Sequence, residues 1–193
     1  MITQLDLTIL DWIQANLRGP VLDRLMPLIT LLGEHGLFWI GLTLVLLIIP
    51  KTRRLGGAMA IALVLDYLLC NLTIKPLAAR PRPWTYRPDM LEEIQKLTTL
   101  PSDFSFPSGH AAASFAAASA LVFSRNRWGW LAMLAALGVA LSRLYLHVHY
   151  PSDVLVGALL GVLCGFLGAL IVKKLLDRRG SRKNRTQAET EGA

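Results

Sequence analysis

Two histidines, three spaced basic residues and a serine–glycine pair could together act on a phosphate group. They fall in three short segments of the chain, residues 75–83, 107–110 and 142–153. Phosphoryl transfer needs cations against the phosphoryl oxygens, a nucleophile in line with the breaking bond, and an acid for the leaving group. The three segments contain a residue for each of these needs.

The basic residues and the start of one apolar segment are candidate phosphate ligands. Lys75, Arg82 and Arg143 supply positive charge, and the planar guanidinium of arginine can hold two oxygens at once. Ser108 and Gly109 precede an apolar segment, so we expect free backbone N–H groups and the positive end of a helix dipole there. Gly109 also lets the backbone approach a phosphate without a Cβ between them.

The histidines divide the remaining work. His149 lies four residues before Asp153, whose carboxylate can accept one imidazole N–H and leave the other nitrogen free to attack. His110 adjoins Ser108 and can protonate the departing oxygen. Because fixed cations can replace a metal and clustered carboxylates are missing from these segments, we expect no metal cofactor.

Each of these residues also has an ordinary structural interpretation. Lys75 and Arg82 could be interfacial anchors that reach lipid headgroups. Ser108 could cap a helix, a role compatible with phosphate binding. Either histidine alone could be structural. The complete set at these spacings favours catalysis.

Four other polar residues near the segments leave alternatives open. Arg80 and Arg87 could meet the second phosphate of a diphosphate or be solvated loop charges. For His147 we favour a structural or rim role. Asp66 lies within an apolar run, where a charge is costly, and a polar contact inside a helical bundle is the default interpretation.

The composition indicates a membrane protein. Of the 193 residues, 53% are hydrophobic and 17% charged, and the mean hydropathy is +0.46. The net charge of +7 comes from short basic clusters between apolar runs, which is the membrane pattern and does not indicate nucleic-acid binding. Cys70 and Cys164 fall inside apolar runs, so we expect buried thiols without a disulfide.

Apolar segments recur along the chain, and we expect them to span a bilayer. The clearest are residues 36–49, 55–74, 111–123, 128–141 and 154–172, while 21–32 suggests a short or broken first membrane helix interrupted by Pro27. Residues 5–17 predict an amphipathic interfacial helix. No cleavable signal peptide is evident. We expect one domain over residues 1–179 and a disordered polar tail over 180–193.

The basic clusters predict the orientation. Those at residues 51–54, 125–127 and 173–185 are placed in the cytoplasm by the positive-inside rule, and the C-terminus with them. The intervening helices then cross in pairs, so residues 75–109 and 143–153 lie on the outer side.

Taken in order, the three segments resemble the motifs of the type 2 phosphatidic acid phosphatase superfamily. The matching residues are Lys75-x6-Arg82-Pro83, Pro107-Ser108-Gly109-His110 and Ser142-Arg143-x5-His149-x3-Asp153. The resemblance implies an all-α membrane bundle of about six helices. It also implies that His149 is the nucleophile, Asp153 its orienting partner and His110 the general acid. The phosphate would be held by Lys75, Arg82, Ser108, Gly109 and Arg143.

The expected function is that of a metal-independent lipid phosphate phosphatase of a bacterial-type cytoplasmic membrane. Undecaprenyl diphosphate is the first choice of substrate, by family analogy and the inferred outer site. Phosphatidylglycerol phosphate or phosphatidic acid hydrolysis and lipid phosphotransfer are alternatives. A non-catalytic lipid-binding or transport protein would be expected to lack the nucleophile or the acid, and both are present. The sequence does not indicate an oligomeric state.

Overall fold

A computed structural model describes residues 2–191, and every regular element in this range is helical. The α-helices are α1 (Ile2–Leu17), α2 (Pro20–Thr30), α3 (Leu37–Ile48), α4 (Arg53–Asp66), α5 (Lys75–Ala78), α6 (Leu91–Leu97), α7 (Gly109–Phe123), α8 (Gly129–Tyr145) and α9 (Pro151–Glu191). A 3₁₀ stretch at Leu31–Gly36 joins α2 to α3, and a π-helical stretch at Tyr67–Ile74 joins α4 to α5. The all-α prediction is confirmed.

Several of these helices are suited to a membrane. In the described part of the chain, three helical stretches are long and apolar enough to span it: Pro20–Ile48, Arg53–Thr85 and Pro151–Arg178. The helices α7 and α8 are apolar but shorter. The chain is therefore a polytopic membrane protein by its helices, while the number of about six membrane helices stays a prediction.

The first of these stretches is broken at a different place from the one predicted. Helix α2 continues through Pro27, and the break comes at Glu34–Gly36. There the backbone turns left-handed, with φ of 48° at His35 and 67° at Gly36. Glycine adopts this conformation without a steric penalty, so the chain can kink here before α3 begins.

The N-terminal helix α1 has two different faces. Its exposed side chains are largely apolar and include Ile2, Leu5, Ile9 and Trp12. On the opposite face Asp6 and Leu10 are buried against the rest of the protein. The helix itself agrees with the sequence, and its position at the membrane interface stays a prediction.

Small residues bring α7 and α9 unusually close. A Cβ on Gly161 of α9 would lie 2.9 Å from the backbone nitrogen of Ala116 in α7. One turn or so earlier, a Cβ on Gly157 would lie 2.6 Å from the backbone oxygen of Ser108. Side chains larger than glycine would push the helices apart, and such contacts are typical of helix packing in membranes. The N-terminal end of α7 is thereby fixed against α9.

Two further predictions concern the cysteines and the tail. Cys70 and Cys164 are free and buried, as expected. The backbone of α9 is helical to Glu191, but residues 1, 192 and 193 and nearly all side chains after Arg178 lie outside the described part. The disordered tail over 180–193 and the domain boundary at 179 therefore stay predictions.

Candidate active site

A cavity of about 720 Å³ lies beside the N-terminal end of α7, the C-terminal end of α8 and the segment between α4 and α6. Six of the eight residues predicted to act on or bind a phosphate line it: Lys75, Arg82, Gly109, His110, Arg143 and His149. These residues come from segments far apart in sequence, and the fold brings them to one place.

Arg82 is held rigidly at the centre of this group. Its Nη1 donates to the backbone oxygen of Val148 at 2.7 Å and lies 3.2 Å from Nε2 of His149. Its Nε donates to the backbone oxygen of Asp103 at 2.8 Å. A guanidinium fixed by backbone carbonyls is pre-organised to meet an anion, since its geometry does not have to be found on binding.

Arg143 and Gly109 occupy other parts of the cavity wall. Arg143 is 2% exposed, and its Nη1 donates to Oγ1 of Thr30 at the end of α2, 2.7 Å away. Its Nε has no hydrogen-bond partner within the described residues. A Cβ on Gly109 would lie 3.1 Å from Oδ1 of Asn71 and 3.8 Å from Nζ of Lys75. Glycine thus leaves room between the start of α7 and the nearest cation.

The neighbours of His149 define its tautomer. A guanidinium can only donate hydrogen bonds, so Nε2 of His149, facing Arg82, must be the unprotonated nitrogen. The proton is then on Nδ1, which lies 3.5 Å from Oδ2 of Asp153 in an electrostatic contact without hydrogen-bond geometry. Burial lowers the pKa of His149 well below its usual value, and the charges of Arg82 and Arg143 lower it further. His149 is therefore a neutral imidazole whose unprotonated nitrogen is Nε2.

Asp153 and Ser108 lie behind the cavity wall. Asp153 is fully buried, and its Oδ2 accepts from Oγ of Ser105 at 2.5 Å and from the backbone nitrogen of Tyr150 at 3.0 Å. Ser108 is also fully buried, and its hydroxyl accepts from the Ala111 amide, as a helix cap does. Its backbone nitrogen donates to the Asp153 carbonyl at 3.0 Å, which ties the second motif to the third.

Glu34 is a cavity residue that the sequence interpretation missed. One of its carboxylate oxygens, Oε2, lies 3.3 Å from Nε2 of His110. Gly33 packs against the same ring, because a Cβ there would lie 2.8 Å from Cδ2 of His110. The available signal was a charged residue between Gly33 and Gly36 where two apolar runs meet. Glu34 favours the form of His110 that carries a proton on Nε2.

Asp103 is the second residue that was missed, and it contacts two of the cations. Its carboxylate forms ion pairs with Lys75 and with Nη2 of Arg82, the latter at 2.5 Å. Burial opposes ionisation of Asp103, but Lys75 and Arg82 outweigh it and lower its pKa to about 2. The position of this carboxylate between two cations is one that a phosphate could also take.

The residues left open by the sequence are placed as follows. Arg80 does not line the cavity and pairs with Asp6 and Asp153. Arg87 pairs with Asp11 of α1. His147 is fully buried, burial lowers its pKa to about 4, and neither ring nitrogen has a hydrogen-bond partner in the described part of the chain. Asp66 is buried and lines the cavity.

One wall of the cavity is apolar. It is formed by side chains of α3 and α4, with Tyr67 and Leu68 after them: Ile40, Leu63, Val64, Tyr67 and Leu68. Val64 and Tyr67 are 59% and 56% exposed on the outer surface of these helices. In a membrane protein such a surface faces lipid, so the cavity joins a cationic end to an apolar, lipid-facing side.

Comparison with known proteins places this arrangement in a family. A family model described as the PAP2 superfamily matches residues 52–177, which include all three motifs. An undecaprenyl-diphosphatase of Sulfolobus acidocaldarius is 35% identical over 78% of this chain and 70% of that protein. A decaprenylphosphoryl-5-phosphoribose phosphatase of Mycobacterium tuberculosis is 36% identical over 69% of this chain and 71% of that protein.

The fold has a solved counterpart in a transmembrane PAP2 type phosphatidylglycerolphosphate phosphatase from Bacillus subtilis. The two share 30% sequence identity and a TM-score of 0.68, over 90% of this chain and 87% of that one. The likeness therefore extends beyond the motifs to the helices that carry them. By its motifs, its helical architecture and its relatives, this chain belongs to the PAP2 superfamily.

Proposed function

We propose that this protein is a lipid phosphatase that removes the terminal phosphate of a lipid phosphate or diphosphate through a phosphohistidine on His149. The observation that carries the proposal is the cavity, which joins a cluster of cations and two imidazoles to an apolar wall. A phosphorylated headgroup fits the first part and a hydrocarbon tail the second. A soluble phosphate ester would need no apolar side facing lipid.

The first chemical step is attack on phosphorus. Lys75, Arg82 and Arg143 hold the phosphoryl oxygens and stabilise the charge that develops on them. The Nε2 lone pair of His149 forms the new N–P bond while the bond from phosphorus to the leaving oxygen breaks. His110, which enters this step protonated on both ring nitrogens, donates its Nε2 proton to that oxygen and becomes neutral. Asp153 stabilises the positive charge that appears on His149.

The second step releases phosphate. A water molecule enters opposite Nε2 of His149, and His110, now neutral, takes a proton from it. The water oxygen forms a bond to phosphorus while the N–P bond breaks and its electron pair returns to Nε2, so inorganic phosphate leaves and His149 is neutral again. Both steps are written with side chains alone, and we propose that the reaction needs no metal cofactor. No three His, Cys, Asp or Glu side chains are grouped as metal ligands within the described residues.

Undecaprenyl diphosphate is the substrate that we propose first. Among the relatives, one is named for this lipid and another for a decaprenyl lipid, so polyprenyl tails recur. The solved relative from Bacillus subtilis favours phosphatidylglycerol phosphate as the second candidate. We place the site on the outer side of the cytoplasmic membrane.

The test is phosphate release by the purified protein from a panel of lipid phosphates. The panel contains undecaprenyl diphosphate, phosphatidylglycerol phosphate and phosphatidic acid in mixed micelles. We expect the highest kcat/KM for undecaprenyl diphosphate. A preference for phosphatidylglycerol phosphate would replace the substrate assignment and leave the mechanism standing.

The mechanism is tested by His149→Ala, for which we expect a loss in kcat of at least ~10³-fold, since the nucleophile acts as one unit with its partners. The matched control is His147→Ala, a change at a buried histidine two residues away that does not line the cavity. After a short reaction with labelled substrate, acid-labile phosphate should be attached to the wild-type protein and the His147 variant. Equal turnover by folded His149→Ala would overturn the phosphohistidine mechanism.

A further inference from the structure

A buried polar network connects the N-terminal helix to Asp153. The guanidinium of Arg80 joins two buried carboxylates, since its Nη1 lies 2.6 Å from Oδ1 of Asp153 and its Nη2 lies 2.7 Å from Oδ2 of Asp6. Asp6 belongs to α1, and Arg80 follows α5. The contact therefore closes a loop of more than seventy residues around the site.

Asp6 also holds the first turn of α9. Its Oδ1 accepts from the backbone nitrogen of Ser152 at 3.0 Å, and its Oδ2 accepts from the Ser152 hydroxyl at 2.6 Å. The N–H groups of a first helical turn have no partner within the helix, and the Asp6 carboxylate accepts from one of them. Its negative charge also interacts favourably with the positive end of the α9 helix dipole. Nη1 of Arg80 in turn donates to Oγ of Ser152 at 2.7 Å.

Tyr150 completes the surroundings of Arg80. The guanidinium carbon lies 3.8 Å from the centre of the Tyr150 ring. A stacked guanidinium with both Nη atoms engaged has little freedom to move. It is therefore poorly placed to bind the second phosphate of a diphosphate, and its low exposure of 18% does not fit a solvated loop charge.

The network fixes the carboxylate that faces His149. Asp153 is fully buried, and the guanidinium of Arg80 pairs with it there. With Oδ1 bound to Arg80 and Oδ2 bound to Ser105 and the Tyr150 amide, the carboxylate plane has one orientation. That orientation places Oδ2 beside Nδ1 of His149.

We propose that Arg80 and Asp6 are positioning residues of the reaction, acting through Asp153 on the imidazole of His149. The N-terminal helix is then a component of the catalytic site, although it contributes no residue to the cavity. This inference rests on the proposed function.

The experiment compares ion pairs of the same helix. Asp6→Asn weakens the pair with Arg80, and Asp11→Asn is the matched control, because Asp11 pairs with the partly exposed Arg87 and has no contact with Asp153. We expect Asp6→Asn to lower kcat about tenfold with little change in KM, as for a loss of orientation in the transition state. Asp11→Asn should leave both constants within about twofold of the wild type.

A second readout separates positioning from a loss of folded protein. Arg80→Gln removes a positive charge from the surroundings of Asp153 and His149, which favours the protonated form of the His149 imidazole. Because protonated His149 cannot attack, the acid limb of the kcat/KM profile should move to higher pH by ~1 unit. Arg80→Lys should restore the position of the limb and only part of kcat.

The other charged groups around His149 are the same in all these variants. They are Lys75, Arg82, Asp103, His110, Arg143 and Asp153. A shift of the acid limb can then be assigned to the change at Arg80. A purely structural role would change the amount of folded enzyme and leave the limb where it is.

The outcomes separate the two proposals. Suppose that the wild type and Asp11→Asn hydrolyse lipid phosphate, and that Asp6→Asn and Arg80→Gln have the same kcat and the same acid limb as these two. The positioning role is then wrong, and the proposed function stands. If Arg80→Gln does not fold, Asp6→Asn, Arg80→Lys and Ser152→Ala decide by the same comparison. A wild-type protein without activity on any lipid phosphate would remove both proposals.

Discussion

The carboxylate of Asp103 competes, by its position, for the cations that would hold the substrate. It is paired with Lys75 and Arg82 and is half-exposed. Despite partial burial, these two partners lower its pKa to about 2. Since the folded pKa is below the usual value, Asp103 becomes neutral only as the pH falls through about 2. It is therefore charged over the whole range in which the enzyme can be assayed.

We expect Asp103→Asn to strengthen phosphate binding. Removing a half-exposed ion pair worth ~0.5–1 kcal/mol should lower KM about two- to fivefold. The inhibition constant of orthovanadate should fall as well, because orthovanadate imitates the pentacoordinate phosphorus. The control is Asp89→Asn, the same change at an exposed carboxylate outside the cavity. The effect should be constant between pH 5 and pH 8. A higher KM in Asp103→Asn would instead show that Asp103 orients the cations.

The sequence predicted some site residues and could not predict others. Residues such as Arg82 and His149 match the motifs of the superfamily in type and spacing, so their convergence could be expected. Asp6, Glu34 and Asp103 contact basic or histidine side chains 21 to 76 positions away, and their local sequences contain no motif. Only the packing of the helices decides which isolated carboxylate meets which cation.

At the scale of the helices, the active site depends on how closely α9 approaches α7. Gly157 faces the backbone of Ser108, the residue that caps α7 and precedes Gly109 and His110. One turn earlier, α9 contains Asp153, whose backbone oxygen accepts from the Ser108 nitrogen. A change in this contact therefore alters the relative position of the proposed acid and nucleophile.

We expect Gly157→Ala to impair catalysis more than folding. The new Cβ would lie 2.6 Å from the Ser108 oxygen, so the start of α7 must shift, at a cost of ~1–3 kcal/mol in stability. Such a shift should lower kcat about ten- to hundredfold. Gly41→Ala is the control, because a Cβ there meets nothing within 4 Å. Measurements of kcat and thermal stability in detergent decide, and equal kcat in the two variants would contradict the prediction.

The helix boundaries show what hydropathy can and cannot predict. Apolar runs gave the approximate positions of α4, α7, α8 and α9, because burial in lipid or protein requires them. They did not give the left-handed turn at His35 and Gly36, since the sequence marks Pro27 more strongly as a break. The π-helical stretch at Tyr67–Ile74 also has no signal in hydropathy.

For the whole molecule, the two ends of α7 define two different environments. The helix begins at the cavity and ends near a second cleft, which the basic side chains Arg54, Arg125 and Lys173 line. Its 15 residues span about 22 Å, somewhat less than the ~30 Å hydrocarbon core. We therefore expect the cavity and the basic cleft to lie at or just below opposite membrane surfaces. Basic residues favour the cytoplasmic side, which predicts an outward-facing cavity.

Cysteine labelling in intact cells tests this orientation. Ser102 in the loop beside the cavity and Ser181 near the C-terminal end are both exposed, so Ser102→Cys and Ser181→Cys are matched single changes. The native Cys70 and Cys164 are fully buried and should give little background. A membrane-impermeant maleimide should label Ser102→Cys on intact cells and Ser181→Cys only after permeabilisation. The opposite labelling pattern would reverse the topology and leave the chemistry of the cavity intact. The substrate would then have to come from the inner leaflet.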